Sequence, residues 1–522
     1  MRSWRGHKLA RRSAFLLAGV LAAVSLPDRP GNSMEGEAAL NAFKEFSVRN
    51  VRKHQKQLQR IADRNDGIRA AGTKGYDQSA RYVGRQLEKA GYDVQLQEFD
   101  FIAYTQLGPS TLEQVSPGSV VYEEDTDYLL MDQTDAGDVT GPAVGVDLVL
   151  DDPESSTSGC EPEDFDGFPA GSIALMQRGA CAFLDKAENA AAAGAVGALI
   201  FNQGDGGADR VDLFGGTLSA DYQGSIPVVS TSFTLGSELA AIDDLTLRIV
   251  ADTERTPTTT SNVLAERPGA APADAPVIVG GGHLDSVQEG PGVNDNGSGS
   301  AVILEIALQA AKLDILTNNR VRYAWWGTEE AGLIGSQYYV DNLSEDALAE
   351  IALNLNLDMV GSPNFVRFVY DGDGSDTELV GPPGSDVIEQ LFLDHFGVAD
   401  LPTEPTAFDG RSDYGPFIAV GIPAGGLFSG AEGIKSDEQV EIFGGTAGEQ
   451  YDPCYHEACD TFDNNSNEVL TQFTRATATV LAILAFEDLP LAPPATASLR
   501  GATVSSAMAA TSMAYRGHHL VR

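Results

Sequence analysis

GGHLDSVQEGPGVNDNGSGSA, Gly281 to Ala301, joins two stretches of opposite character. Before it, Pro276-Val-Ile-Val-Gly280 is a short apolar run that reads as a buried strand. After it, Ser300-Ala-Val-Ile-Leu-Glu-Ile-Ala-Leu308 is long, apolar and free of Gly, and reads as a helix. His283 therefore stands at a strand end and Asp295 at a helix start. Gly290, Pro291, Gly292, Gly297 and Gly299 let the backbone bend sharply, so that imidazole and carboxylate can meet. Polar groups carried from strand to helix in this way predict an α/β domain, a mainly parallel central sheet flanked by helices, with its ligands at the carboxyl ends of the strands.

Working outward, Val321-Arg-Tyr-Ala-Trp-Trp326 reads as a second buried strand, delivering Glu329 and Glu330 into a turn before a helix that starts near Gly332. Leu353-Asn-Leu-Asn-Leu-Asp358 alternates as a strand and ends on an acid. Far downstream, Cys454-Tyr-His-Glu-Ala-Cys459 holds His456 in a small loop. His283, Asp295, Glu330, Asp358 and His456 form a set of nitrogen and oxygen donors suited to two zinc ions, provided that one carboxylate bridges and a position stays open for water. Three carboxylates against two divalent ions leave one net positive charge, enough to acidify that water. Glu329 is then free to act as a general base.

HLDS followed by NDNGSGSA, then AWWGTEEAGLIGS, LNLDMVGSPN, DGRSDYGPF, GIPAGGLFSGA and CYHEACD, closely resemble the secreted co-catalytic di-zinc aminopeptidases of actinomycetes and related bacteria, from about Asn262 to Phe486. The resemblance implies His283 and Asp358 on one zinc, Glu330 and His456 on the other, and Asp295 bridging. It further implies Glu329 as the base, Tyr455 on the oxyanion, Arg411 near the substrate's amino-terminal residue, and a preference for large apolar residues such as leucine. Asp285 looks like the carboxylate that orients the His283 ring. Some family members have His where this chain has Tyr414, a difference expected at the pocket rim. NDGIRAAGTKGYDQSARYV and LEKAGYDVQLQEF resemble the start of the same fold, and ALMQRGACAFLDKAENAAAAGAVGALIFN resembles the protease-associated domain.

The expected organisation is a signal peptide (1–25), an amino-terminal peptidase segment (35–115), an inserted α+β protease-associated domain (116–252), the catalytic peptidase segment (253–490) and a disordered or processed tail (491–522). Arg2, Arg5, Lys8, Arg11 and Arg12 precede the apolar run Ala14 to Leu26, which is too short to span a membrane comfortably and is followed by no stop-transfer pattern. Helical spacing is expected from Ala38 to about Asn65 and from Ser79 to Ala90, and a strand over Tyr92 to Phe99. In the insertion, β-like runs fall at Val146–Leu150, Ser172–Met176, Ala198–Phe201, Pro227–Ser230 and Leu245–Val250, with a helix from Asp185 to Ala193. Ser466 to Phe486 reads as a terminal helix.

The formal net charge of −41 becomes −46 without the five leading basic residues, and a polyanion of this kind repels nucleic acid and anionic membranes. Peptides with a free amino terminus are the expected partners. Four cysteines in an exported chain favour two disulfides, Cys454 with Cys459 and Cys160 with Cys181, over a zinc-thiolate site, because neither pair has the Cys-x-x-Cys spacing. Three rivals carry distinct signatures. A carboxypeptidase needs cations facing a terminal carboxylate and has only Arg411; a glutaminyl-cyclase-like transferase keeps one zinc; a non-catalytic relic loses ligands.

Overall fold

The computed structural model describes residues 47–487 and 489, apart from 206, 207, 221 and 378. The expected signal peptide, residues 35–46 of the first peptidase segment and the tail 491–522 lie outside the described residues.

Two eight-stranded sheets organise the chain. In the first, Arg320–Trp326, Val277–His283, Ile351–Leu357 and Ala424–Phe428 lie side by side and parallel. Thr253–Glu266 pairs antiparallel to the Arg320–Trp326 side and is itself flanked by Asp93–Gln106; the short Phe368–Tyr370 and Glu404–Thr406 strands close the other edge. The parallel centre matches the expected α/β class, while the antiparallel edges make the sheet mixed.

Strands covered on both faces carry apolar side chains at successive positions, alternate residues entering opposite layers. Ile278 and Trp325 enter one layer, and Val277, Val279, Ala324 and Trp326 the other. The first layer is built by the helices Val48–Ala62, Lys74–Lys89, Gly297–Lys312, Ser385–Val398 and Asn467–Phe486. Asn467–Phe486 is long and apolar enough to cross a membrane by composition, but it packs Val469, Leu470, Phe473, Ala476 and Val480 into this core. The opposite layer is thinner, with Tyr339 and Phe417 against Trp326.

Asp93–Gln106 and Thr253–Glu266, each of 14 residues, pair along their whole length and carry the chain out to the second sheet and back. That sheet combines the parallel run Gly137–Gly145, Ile173–Gln177, Gly197–Phe201 and Val228–Thr231 with antiparallel partners at both ends. It departs from the sequence reading in two places. Its first strand, Thr111–Ser116, pairs with Thr246–Ala251 and buries Leu112, so the insertion's sheet begins ahead of the expected boundary at 116. The strand expected over Val146–Leu150 instead spans Gly137–Gly145, immediately before it. Gly137, Gly141 and Pro142 mask that strand, since Gly and Pro weaken strand patterns. Gly141 is required there, because a Cβ would lie 2.6 Å from the Gly171 carbonyl.

Candidate metal centre

Three parallel strands end at one edge and hold out their next residues together. His283 is the last residue of Val277–His283, Asp358 follows Ile351–Leu357, and Glu329 and Glu330 follow Arg320–Trp326. Asp295 precedes the Gly297–Lys312 helix, whose cap Asn296 accepts a hydrogen bond from the Gly299 amide at 2.9 Å. Thr328 (φ 65°), Met359 (φ 45°) and His456 (φ 57°) adopt left-handed backbone at or beside these positions, uncommon for side-chain-bearing residues and concentrated at functional sites.

The donors converge. His283 Nε2 lies 3.1 Å from Asp295 Oδ1 and 3.1 Å from Asp358 Oδ1. His456 Nε2 lies 3.2 Å from Asp295 Oδ2 and 3.2 Å from Glu330 Oε2. Asp295 thus turns one oxygen to each imidazole. Tetrahedral zinc with bonds of about 2.0–2.1 Å separates its ligand atoms by roughly 3.3 Å, so both groups have the spacing that the ion requires.

The electrostatics point the same way. All five side chains are buried or nearly so, as is Glu329, 1% exposed, whose Oε2 lies 3.8 Å from His283 Nε2. Burial, then the neighbouring Asp295 charge, pushes Glu330 up to about 7. Burial also drives Glu329 well above the carboxylate range, with His283 opposing and Asp358 and Glu330 reinforcing. Against burial, Glu330 and Asp295 raise His456 to about 10. Carboxylates crowded in a low dielectric need positive charge, and divalent cations supply it.

Backbone and side-chain contacts hold these groups in place. Asp285, 3.6 Å from His283 Nδ1, also accepts from the Glu329 and Glu330 amides at 3.3 and 3.4 Å. Ser412 donates to Asp358 Oδ2 at 2.7 Å and accepts from Asn356 Nδ2 at 2.8 Å. Asp460 accepts from the Asn294 and Asp295 amides at 2.8 and 2.9 Å. Arg69, fully buried, donates to the Leu284, Pro291 and Gly292 carbonyls and so ties the loop between the two donors to the amino-terminal segment. No local pattern singles out Ser412, Asp460 or Arg69, although DGRSDYGPF, CYHEACD and NDGIRAAGTKGYDQSARYV contain them in turn.

Tyr455 stacks on His456 at 3.9 Å between ring centroids, and its hydroxyl accepts from Arg411 Nη2 at 3.3 Å. Arg411 also donates to Glu432 at 2.6 Å. Burial pushes the Tyr455 phenol well up while Arg411 pulls it down, so it stays protonated at neutral pH. Tyr414 is not at a rim: it is 1% exposed, donates to Asp409 at 2.8 Å and packs edge-on against Tyr370 and Phe408. The disulfides pair as expected, Cys160 with Cys181 and Cys454 with Cys459, the second enclosing Tyr455 and His456. Beside the centre, Met359, Ala431 and Tyr455 pack with Phe428 in a small apolar cluster, and a cavity of about 660 Å³ reaches Glu330 and His456.

Comparison with known proteins gives the family. Residues 262–481 match the profile of peptidase family M28, and residues 120–239 that of the PA domain. An aminopeptidase of Pseudomonas aeruginosa is 51% identical over 435 residues, covering 83% of this chain and 80% of the relative. The probable lipoprotein aminopeptidase LpqL of Mycobacterium tuberculosis is 43% identical over 421 residues, 79% of each. Among solved structures, the aminopeptidase from Aneurinibacillus sp. strain AM-1 superposes with a TM-score of 0.68 at 27% identity, covering 87% of this chain and 98% of its own. BSAP, a zinc aminopeptidase from Bacillus subtilis, shares the fold with a TM-score of 0.57 at 24% identity, over 85% of this chain and 96% of its own.

Proposed function

Since this chain belongs to peptidase family M28 and is a zinc aminopeptidase with an inserted PA domain, we propose that it uses two zinc ions to remove large apolar amino-terminal residues from peptides outside the cell. His283 and Asp358 would hold one ion and Glu330 and His456 the other, with Asp295 shared between them. The observation that carries this reading is Asp295 itself, a single carboxylate with each oxygen 3.1–3.2 Å from a different imidazole. Zinc bound by these residues would supply Lewis acidity toward the scissile carbonyl and a more acidic water.

The chain's own groups do the rest. Glu329, buried with its Oε2 3.8 Å from His283 Nε2, takes the proton of the attacking water and returns it to the departing amine. The protonated Tyr455 hydroxyl donates to the carbonyl oxygen as negative charge develops on it. Arg411 fixes that hydroxyl and lies near the substrate's first residue. Asp285 orients the His283 ring and anchors the turn that carries both glutamates. The patch of Met359, Phe428 and Ala431 supports an apolar first side chain. Two disulfides and the basic-then-apolar leader support export to an oxidising compartment.

The test is hydrolysis of a panel of aminoacyl anilides beside their amino-acetylated counterparts, before and after chelation and after zinc is restored. Cleavage confined to free amino termini, fastest for leucine, lost on chelation and regained with zinc, is expected. Cleavage of blocked substrates at equal rates, or activity indifferent to chelation, overturns the reading.

A further inference from the structure

The large cavity beside Glu330 and His456 lies between the two domains. Its peptidase wall includes Glu289 and Glu457; its other wall includes Tyr104 from the connecting strand and Glu124, Asp125 and Asp132 from the insertion. Among the described residues that line it there is no Lys or Arg. About 660 Å³ falls within the roughly 300–1,000 Å³ of ligand sites.

Two features say what enters. An aminopeptidase must seat one side chain on one side of the scissile bond and a chain of any length on the other. Arg411, which the proposed function sets near the substrate's first residue, does not line this cavity, whereas the cavity, walled by both domains, has room for the longer side. The Tyr104 hydroxyl, buried and without a hydrogen-bond partner, stands in the cavity wall as a ready donor to a peptide carbonyl. Glu124 is held rigidly, accepting from Gln106 Nε2 at 2.8 Å and the Ser110 amide at 3.0 Å. One-signed charge on low-dielectric walls focuses the field within a cleft.

The geometry points to this cavity as the seat of the residues that follow the scissile bond, and to peptides with Lys or Arg there as the preferred substrate class. This rests on the aminopeptidase reading above, and it makes the inserted domain part of substrate selection.

The experiment compares kcat/KM of the zinc-loaded full-length protein for Leu-Lys-Gly, Leu-Gln-Gly and Leu-Glu-Gly, with leucine p-nitroanilide run alongside. At low salt the Lys peptide should exceed the Glu peptide by about tenfold, the sum of a few exposed charge contacts, and the ratio should shrink in molar salt. In Asp125→Asn/Glu289→Gln the ratio should fall to about threefold or less. In Asp394→Asn/Glu441→Gln, which removes the same charge from exposed positions elsewhere, it should not change. Reading the ratio within each protein cancels any loss of folded material. Equal rates for the three peptides, or a ratio that falls as far in the remote variant, overturn the inference while anilide hydrolysis leaves the aminopeptidase reading standing. Absence of anilide hydrolysis strikes that reading first, and this one with it.

Discussion

Asp295 faces two imidazoles at once, one from each of its oxygens. Glu329 holds neither ion in this account. Glu329→Gln should therefore keep the metal content and lower kcat by about 10²–10⁴-fold, as loss of a general base does; metal analysis beside steady-state kinetics checks it, and a zinc-loaded variant with full activity contradicts the role. Ser412→Ala removes the hydrogen bond on Asp358 Oδ2 and should weaken zinc about 10–100-fold in competition with a chelator, with less effect on kcat at saturating zinc. Four of the five proposed ligands are legible because each ends or follows an apolar strand or precedes an apolar helix in a Gly-rich setting; His456, in the Cys454–Cys459 loop, has no such neighbour. Ser412, Asp460 and Arg69 were not, since their partners lie 54, 165 and 222 residues away along the chain, and such pairings leave no local pattern. Tyr414 lies away from the rim because Tyr370, 44 residues back along the chain, packs edge-on against it, while Asp409, only five residues away, takes its hydroxyl proton.

At the scale of elements, helices and strands with a clear apolar period were readable, and those interrupted by Gly or Pro, such as Gly137–Gly145, were not. The two disulfides should act differently. Opening Cys160–Cys181, which spans 21 residues, should cost about 3 kcal/mol of stability by loop entropy. Opening Cys454–Cys459, which spans 5, should cost only about 2 kcal/mol, but it also frees the loop that carries His456 and should lower zinc affinity. Serine variants followed by calorimetry and metal titration separate the two. The contact between helices Val48–Ala62 and Gly297–Lys312 includes Glu305, which accepts from Asn50 at 2.8 Å and lies 3.3 Å from His54 Nε2. Against burial, His54, Asn50 and Gln309 hold Glu305 below its ordinary range. Its stabilisation is therefore complete above the unfolded carboxylate pKa and lost as pH falls through the lower folded value. Glu305→Gln should lower stability at pH 7 by about 1–3 kcal/mol, the worth of hydrogen bonds to a charged group. At pH 3 the difference in Tm should be smaller, and an equal difference at both values contradicts the assignment.

At the scale of the whole molecule, a peptidase sheet bears an α+β insertion on a two-stranded arm, and the polar centre lies where the strands end. The fold class could be read from the alternation of apolar runs with Gly-rich loops. The entry and exit of the insertion could be read only approximately, because Thr111–Ser116 looks like a continuation of the connecting strand until its partner Thr246–Ala251 is seen. The centre also ties metal to folding: with free zinc 1,000-fold above its Kd, each ion adds about 4 kcal/mol, so chelation should lower Tm in step with activity. The most direct measurement is anomalous diffraction at the zinc edge from crystals of the zinc-loaded protein. The account predicts two peaks about 3.5–4 Å apart, one beside His283 and Asp358, the other beside Glu330 and His456, with Asp295 between. A single peak in fully active protein, or two peaks that do not share Asp295, would contradict it.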